Sequence, residues 1–336
     1  MNPDEPTPPA TETSSRYHLP VLLEETLELL TPKPGETMLD GTLGGGGHSF
    51  HLLQKIAPGG ILIGLDRDLE ALEAAGLRLK MVNSDCVVVL IQTPFGDMEA
   101  ALSNNKLTSG LLLDGVLLDL GVSSHQLDTS RGFSFRRREE LLDMRMDASS
   151  SGGMNAADLI ADSSVEELTR ILWEYGEEKW ARRIAERIVE TRKKSGKIET
   201  TGQLVDVIEA SVPRGAWPRD IHVATRSYQG LRIAVNDELG QLESGLNAGL
   251  KLLKPGGRMA VISYHSLEDR IVKQKFAEWA GRTPSPPGSS PAAFLPNTAR
   301  KVLVSLLTRK PVVSNDMEIQ NNPRARSAKL RAVIKL

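Results

Sequence analysis

A strand-like segment, Thr37–Asp40, runs through Gly41-Thr42-Leu43 into four consecutive glycines, Gly44–Gly47, before a helix-like segment opens at His48. Few backbones tolerate that arrangement. Glycine adopts positive φ without steric cost and lets backbone N–H groups come close to a ligand. The first turn of a helix leaves N–H groups without intrahelical partners. A strand–glycine–helix unit therefore belongs at the carboxyl end of a strand in an open α/β sheet, where such folds hold their ligands. The flanking sequence agrees. Apolar runs at Ile61–Asp66, Cys86–Ile91 and Gly115–Leu120 alternate with helix-like segments at Val21–Leu30, His48–Ile56, Glu70–Lys80 and Gly96–Ser103. Continuous apolar runs fit strands buried on both faces. Their alternation with helices predicts an α/β fold, a parallel sheet covered on both sides.

After Gly121 the rhythm stops, and no comparable apolar strand appears until Arg258–Tyr264. The stretch between holds the doubly charged segment Arg131–Asp147, a Ser/Gly run at Ser149–Gly153, and helical patterns. Ser163 and Ser164 precede Glu166 and Glu167 in the manner of a capping box. Trp180, Ile184 and Ile188 recur at helical spacing, and Gly202–Val212 reads as a further helix. A connection this long is not a loop. It predicts an all-helical domain at 130–217 inserted into a sheet domain formed by 17–129 and 218–336. The rhythm resumes with a helix at Asn236–Leu253, a turn at Lys254–Gly257 and the strand Arg258–Tyr264. Lys301–Thr308 and Ala328–Leu336 suit an antiparallel pair at one edge of a seven-stranded sheet. Residues 1–16 are expected to be a disordered tail, and the proline-rich 283–296 a linker or loop.

Composition narrows the function. With 41 Lys and Arg against 43 Asp and Glu the net charge is −2, which excludes a globally basic nucleic-acid coat but not a basic patch. The single cysteine, Cys86, excludes a disulfide framework and a multi-cysteine zinc site. His48 and His51 share a helix face, yet no further ligands accompany them, so no metal is expected. No apolar run is long enough to span a membrane, and the expected location is cytoplasmic.

The strand that ends at Asp66 places an acid where ribose hydroxyls are commonly held. The glycine spacing fits a dinucleotide fingerprint only loosely. S-adenosylmethionine (SAM) has no phosphate, and Asp40 at a strand end suits its amino-acid portion. The turn Leu252-Leu253-Lys254-Pro255-Gly256-Gly257-Arg258 also looks like the entry to the fifth strand of SAM-dependent methyltransferases. A nicotinamide dehydrogenase and a noncatalytic binding module are the competing readings of these residues; SAM-against-NAD competition separates the first, and absence of turnover the second.

Longer motifs sharpen the choice. His18-Leu19-Pro20-Val21-Leu22-Leu23, Asp40-Gly41-Thr42 with the glycines and His48-Ser49, Asp119-Leu120-Gly121-Val122-Ser123-Ser124 and Arg131-Gly132-Phe133-Ser134-Phe135 belong together. So do Asp143-Met144-Arg145-Met146-Asp147, Arg232-Ile233-Ala234-Val235-Asn236, His265-Ser266-Leu267-Glu268-Asp269-Arg270 and Pro323–Arg331. The chain resembles the bacterial 16S rRNA (cytosine-N4)-methyltransferases, the MraW/RsmH family, from Tyr17 to Leu336. The resemblance implies a Rossmann-like class I SAM-dependent methyltransferase sheet and N4-methylation of cytosine 1402 in the decoding region of the small ribosomal subunit. It implies SAM contacts from Gly46, Gly47 and His48, ribose contact at Asp66, adenine contact at Phe95, and Asp119 and Gln126 near the methionine end. Its departures include His125 and Val223 where proline is usual, and Tyr264 in place of a common phenylalanine.

Methylating a cytosine amine requires a nucleophile whose lone pair is conjugated with the ring, so acceptors for its N–H groups are needed. Asp119 closes the fourth strand without the prolines and aromatic common in other amino-methyltransferases. It fits a cofactor ligand, an amine acceptor, or both. His265 fits a proton acceptor or stacking ring, and equally a helix cap. From Arg300 onward Lys and Arg outnumber Asp and Glu nine to two, a local excess that suits phosphates. Arg324 and Arg326 there, with Arg136 and Arg145 at the start of the insertion, are the expected RNA contacts. Trp173 and Trp180 are expected in the core. The expected partner is 16S rRNA within the small subunit, with no membrane; a monomer and a weak dimer both remain open.

Overall fold

The computed structural model describes residues 20–122, 126, 130–147, 153–282 and 302–336. The tail 1–16 and the loop 283–296 lie outside them. Strands β1 (Thr37–Asp40), β2 (Ile61–Asp66), β3 (Val87–Gln92), β4 (Leu113–Asp119), β5 (Leu253–Ser263), β6 (Val304–Leu306) and β7 (Lys329–Lys335) form one sheet in the order β3-β2-β1-β4-β5-β7-β6. The first five pair with one another in parallel, and β7 is antiparallel to both β5 and β6. The order reverses at β1, so β1 and β4 flank the point where an α/β sheet opens a crevice at its carboxyl ends. All four residues of β1 are buried.

Helix α1 (Leu23–Leu30) precedes β1, and α2 (Gly47–Ile56), α3 (Leu69–Leu79) and α4 (Met98–Asn104) connect the first four strands. The helical stretch follows, with α5 (Ala156–Asp162), α6 (Val165–Glu174), α7 (Ala181–Ser195), α8 (Thr201–Ser211) and α9 (Thr225–Asn236). Then come α10 (Glu238–Leu252), α11 (Ser266–Trp279) and the short α12 (Asp316–Asn321). Local chemistry sets several starts. Ser164 caps α6 through the Glu167 N–H, and Thr200 with Gln203 forms a full capping box on α8.

Two apolar cores cover the faces of the sheet. One joins Leu39, Val116, Leu118 and Val261 to Leu246, Phe276 and Trp279, and the other joins Met38, Leu62, Leu117 and Ile262 to Leu22, Leu52 and Leu330. A third belongs to the helical stretch and runs from Phe133 through Leu168, Ile184 and Leu204 to Tyr228 and Leu231.

Four readings of the sequence differ from the structure. The helix expected at Asn236–Leu253 begins at Glu238, because Asp237 adopts a left-handed φ of 48° and separates α10 from α9. α9 itself was not expected. The strand expected from Arg258 pairs from Leu253 onward, opposite Leu113, and the register shifts between Leu113 and Gly115 to absorb the Lys254–Gly257 turn. Trp173 is not a core residue. It is 60% exposed, whereas Trp180 packs against the helical core.

Candidate functional site

A cavity of about 700 Å³ opens at the carboxyl ends of β1, β2 and β4, well within the size that takes a cofactor-sized ligand. Gly41, Thr42, Gly44, Gly45, Gly47 and His48 form its floor. Asp66, Phe95, Asp119 and Gln126 stand around it, and Tyr264, His265 and Arg324 come from beyond β5 and from the C-terminal region. The far wall comes from the helical stretch, through Phe133, Phe135, Tyr228, Gln229 and Arg232.

The glycine loop needs its glycines at particular places. Gly44 and Gly46 have φ of 50° and 72°, a region costly for residues with a Cβ. A Cβ on Gly46 would also meet Ala75 Cβ of α3 at 3.1 Å. Asp66 holds the loop from below: its Oδ2 accepts from Gly44 N–H at 2.8 Å and its Oδ1 from Asp68 N–H at 2.9 Å. Each carboxylate oxygen retains a further lone pair for a hydroxyl.

Asp40 does not face the cavity. It is buried under the loop, where its oxygens accept from Thr42 N–H at 3.1 Å and Ser49 Oγ at 2.7 Å. Burial raises its pKa above the ordinary carboxylate value. Its place is that of a brace for the loop, not of the ligand for the amino-acid end of SAM that its strand position suggested. Gly46 likewise turns toward α3, while its neighbours Gly47 and His48 line the cavity. Phe95 has room for its ring only because position 245 is glycine: a Cβ there would lie 2.4 Å from Phe95 Cδ2.

Asp119 is the most elaborately held group. Its N–H donates to Thr42 Oγ1 at 2.6 Å, and its Oδ1 accepts from Tyr264 Oη at 2.8 Å. Its Oδ2 lies 3.5 Å from His48 Nδ1. Burial pushes the Asp119 carboxyl up to about 7, against the Tyr264 hydroxyl that favours its charged form; Glu268 adds to the rise. The His48 ring is buried, and burial drives its pKa down. His48 Nε2 faces Val21 O at 3.0 Å, so Nε2 carries the proton and the neutral ring turns a lone pair toward Asp119.

His265 lines the cavity as the cap of α11. Its Nδ1 faces Glu268 N–H at 3.5 Å and the Glu268 side chain accepts from His265 N–H at 3.4 Å, a capping box, while Tyr264 N–H also donates to Glu268 at 2.8 Å. The cap therefore falls on His265. Burial alone would raise Glu268, but His265, the Tyr264 N–H and Arg232 together take it below the usual range. Glu238, His265 and Glu268 bring ligand atoms within 4.8 Å of one another. Arg232 already holds both Glu238 oxygens, at 2.8 and 2.9 Å, and answers their charge.

Of the arginines expected at RNA, only Arg324 reaches the cavity wall. Arg136 and Arg326 are exposed and do not line it. Arg145 turns its guanidinium onto Asp143, with Nε–Oδ1 at 2.7 Å and Nη2–Oδ2 at 2.8 Å. The sequence did not mark Tyr264 as a partner of Asp119, nor Phe135, Tyr228 and Gln229 as cavity residues. The Arg232–Asn236 motif was visible, but not its work. Asn236 ties the 144–146 segment to α9, and Arg232 neutralises Glu238.

Comparison with known proteins agrees with this geometry. Proteins named ribosomal RNA small subunit methyltransferase H share high identity over nearly the full length of both chains. The one from Trichlorobacter lovleyi is 52% identical over 321 residues, 95% of this chain and 98% of its own. That from Geobacter sulfurreducens is 50% identical over 328 residues, 95% of this chain and 99% of its own. That from Symbiobacterium thermophilum is 48% identical over 321 residues, 95% of this chain and 97% of its own. With its residues 15–336 matched end to end by the family model, the chain belongs to the MraW methylase family.

Proposed function

We propose that this chain methylates the exocyclic N4 of a cytosine in the 16S rRNA decoding region, cytosine 1402 of the small ribosomal subunit. Its coarser activity follows from the family and its relatives: it is a SAM-dependent rRNA methyltransferase. The observation that most supports the finer reading is the two-sided cavity. One side carries the glycine loop, Asp66 and Phe95, and the other an aromatic wall of Phe133, Phe135 and Tyr228 from the helical stretch.

The residues present fit SAM. The positive-φ glycines leave space for a ligand against backbone N–H groups. Asp66 retains acceptors for ribose hydroxyls, Phe95 offers a ring edge or face for adenine, and Gln126 and Asp119 offer polar groups for the methionine end. Bound SAM supplies an electrophilic methyl group on a sulfonium. The protein's own share is positioning, which contributes up to about 7–11 kcal/mol when the reacting atoms are well aligned. A base extruded from RNA stacks well on aromatic walls. Asp119, near neutrality in its pKa, is suited to accept an amine N–H at physiological pH.

The helical region 130–217 serves in this reading as the RNA-recognition domain. Arg324 at the cavity, with exposed Arg136 and Arg326, supplies phosphate contacts that set position and not sequence. Arg145 acts through its pairing with Asp143. The ribosomal substrate makes the working compartment the cytoplasm; no helix among the described residues is long and apolar enough to cross a membrane.

The test is transfer of a labelled methyl group from SAM to small subunits lacking the modification, with naked rRNA and DNA as parallel acceptors. Digestion to nucleosides and mass spectrometry should give N4-methylcytidine from subunits. Methyl incorporation at another base, or on DNA alone, overturns the assignment.

A further inference from the structure

We propose that Tyr264 is a positioning residue for methyl transfer, its phenol hydroxyl holding one oxygen of Asp119 so that the other stays open to the cavity. The inference deepens the reading above and rests on it for the identity of the reaction.

The geometry gives Asp119 two competing arrangements. In the first, Tyr264 Oη donates to Oδ1 at 2.8 Å and the carboxylate is charged. Oδ2 then has no donor from His48, because that ring spends its proton on Val21 O and turns the Nδ1 lone pair toward Asp119 at 3.5 Å. Among the described residues none donates to Oδ2, and an amine N–H entering the cavity is such a donor. In the second arrangement the carboxyl is protonated, closes onto His48 Nδ1 as a donor, and no longer accepts from an amine. Thr42 fixes the backbone of Asp119 at 2.6 Å, so the choice falls to the side chain.

The surrounding charges favour the second arrangement. Asp40 from β1 and Glu268 from α11 are both acidic and face the same region, and burial opposes charge on Asp119. His48 from α2 is held neutral by burial. Arg324 lies near enough to act on the Tyr264 phenol. Among these groups Tyr264 is the one that donates to the Asp119 carboxylate.

In the transfer, the cytosine N4 lone pair forms the new N–C bond, the S–C electron pair returns to sulfur, and one N4 proton leaves. Oδ2 of Asp119 accepts that proton. Tyr264 touches no reacting atom; it keeps the acceptor charged and turned outward.

The test is Tyr264→Phe, which keeps the ring and removes the hydroxyl. Two readouts are needed. The first is the pH profile of kcat/KM on small subunits lacking the modification. Its acid limb should move up by about one pH unit, with activity approaching the parent's above that limb. The second uses protein labelled with carboxyl-13C aspartate, free of SAM and RNA, with Asp119→Asn identifying the resonance. The Asp119 titration should move up in parallel. Replacement of Tyr264 by 3-fluorotyrosine, nearly isosteric with a more acidic hydroxyl, should move both in the opposite direction and guards against a folding defect in the phenylalanine variant. Superimposable titrations, or a loss of rate by the same factor at every pH, overturn the proposal. If the parent protein transfers no methyl to any subunit, the reaction assignment fails, while the Asp119 titration still decides the role of Tyr264.

Discussion

Arg131 Nη1 lies 2.5 Å from Asp68 Oδ2, and the same guanidinium reaches Glu70 Oε2 through Nη2 at 2.6 Å. The arginine opens the segment that leads to the helical core, whereas the two acids stand at the start of α3 beside the sheet. Asp68 is almost wholly buried and already caps α3 through the Glu70 N–H. Arg131→Met therefore leaves a buried carboxylate without its cation. The expected loss is about 1–3 kcal/mol, held below the full cost of a broken buried pair because Glu70 is solvent-exposed. Urea unfolding of the variant beside Arg131→Lys measures it, and the lysine should recover part of the loss.

Asn236 should matter as much without touching the cavity. Its Oδ1 accepts from Met146 N–H at 2.8 Å, and its Nδ2 donates to Met144 O at 2.8 Å. Met144 has a left-handed φ of 60°, so this segment depends on outside bonds to hold its shape. Asn236→Ala strands both backbone groups and should cost about 1–3 kcal/mol. Asn236→Asp keeps the acceptor but sets a carboxylate against Met144 O, and should be no better by thermal melting.

Asp119 makes stability depend on pH in a direction that can be worked out. Its folded-state pKa is raised to about 7, so between the unfolded value and 7 the folded protein binds the extra proton. This contribution falls as pH rises through that window and is level above it. Asp119→Asn removes it. The variant should gain on the parent by about 1.4 kcal/mol per pH unit across the window, while losing activity. Denaturant midpoints at a series of pH values give the comparison, and a constant difference between the two proteins would contradict it.

Gly245→Ala tests Phe95 from behind. The new Cβ would overlap the Phe95 ring, and the backbone of α10 cannot retreat without disturbing Leu242 and Leu246 in the core. SAM affinity, read by equilibrium dialysis, should fall several-fold. Gly256→Ala is the control: its φ is also positive, at 82°, but no atom lies near its Cβ. It should cost stability and leave affinity unchanged.

Much of the sheet was legible because β1, β2 and β4 are short apolar runs that each end in an aspartate. Thr37–Asp40 and Ile61–Asp66 were read to the residue. α9 was missed because it opens on the polar Thr225-Arg226-Ser227 with no side-chain cap, and its end depends on the left-handed turn at Asp237. The cavity was half legible. Asp66, Asp119 and the glycines announce themselves by their position after strands. Tyr264 does not, since its partner lies 145 residues away and its own segment reads as the end of a strand. Asp40 misled for a related reason: a strand-end acid points either into the crevice or under the loop, and only the neighbouring Ser49 and Thr42 decide which.

β4 and β5 lie side by side in the sheet, Val116 opposite Met259, although the whole helical stretch separates them in the chain. Closing so long a loop directly is entropically expensive and slow. The helical core stretches from Phe133 to Leu231, close in sequence to both strands. Condensed first, it turns a long flexible tether into a short rigid one and delivers β5 to β4. A helical core that condenses before β4 and β5 pair would set the order in which the sheet assembles, and a lesion there should be felt first as slow refolding of the sheet.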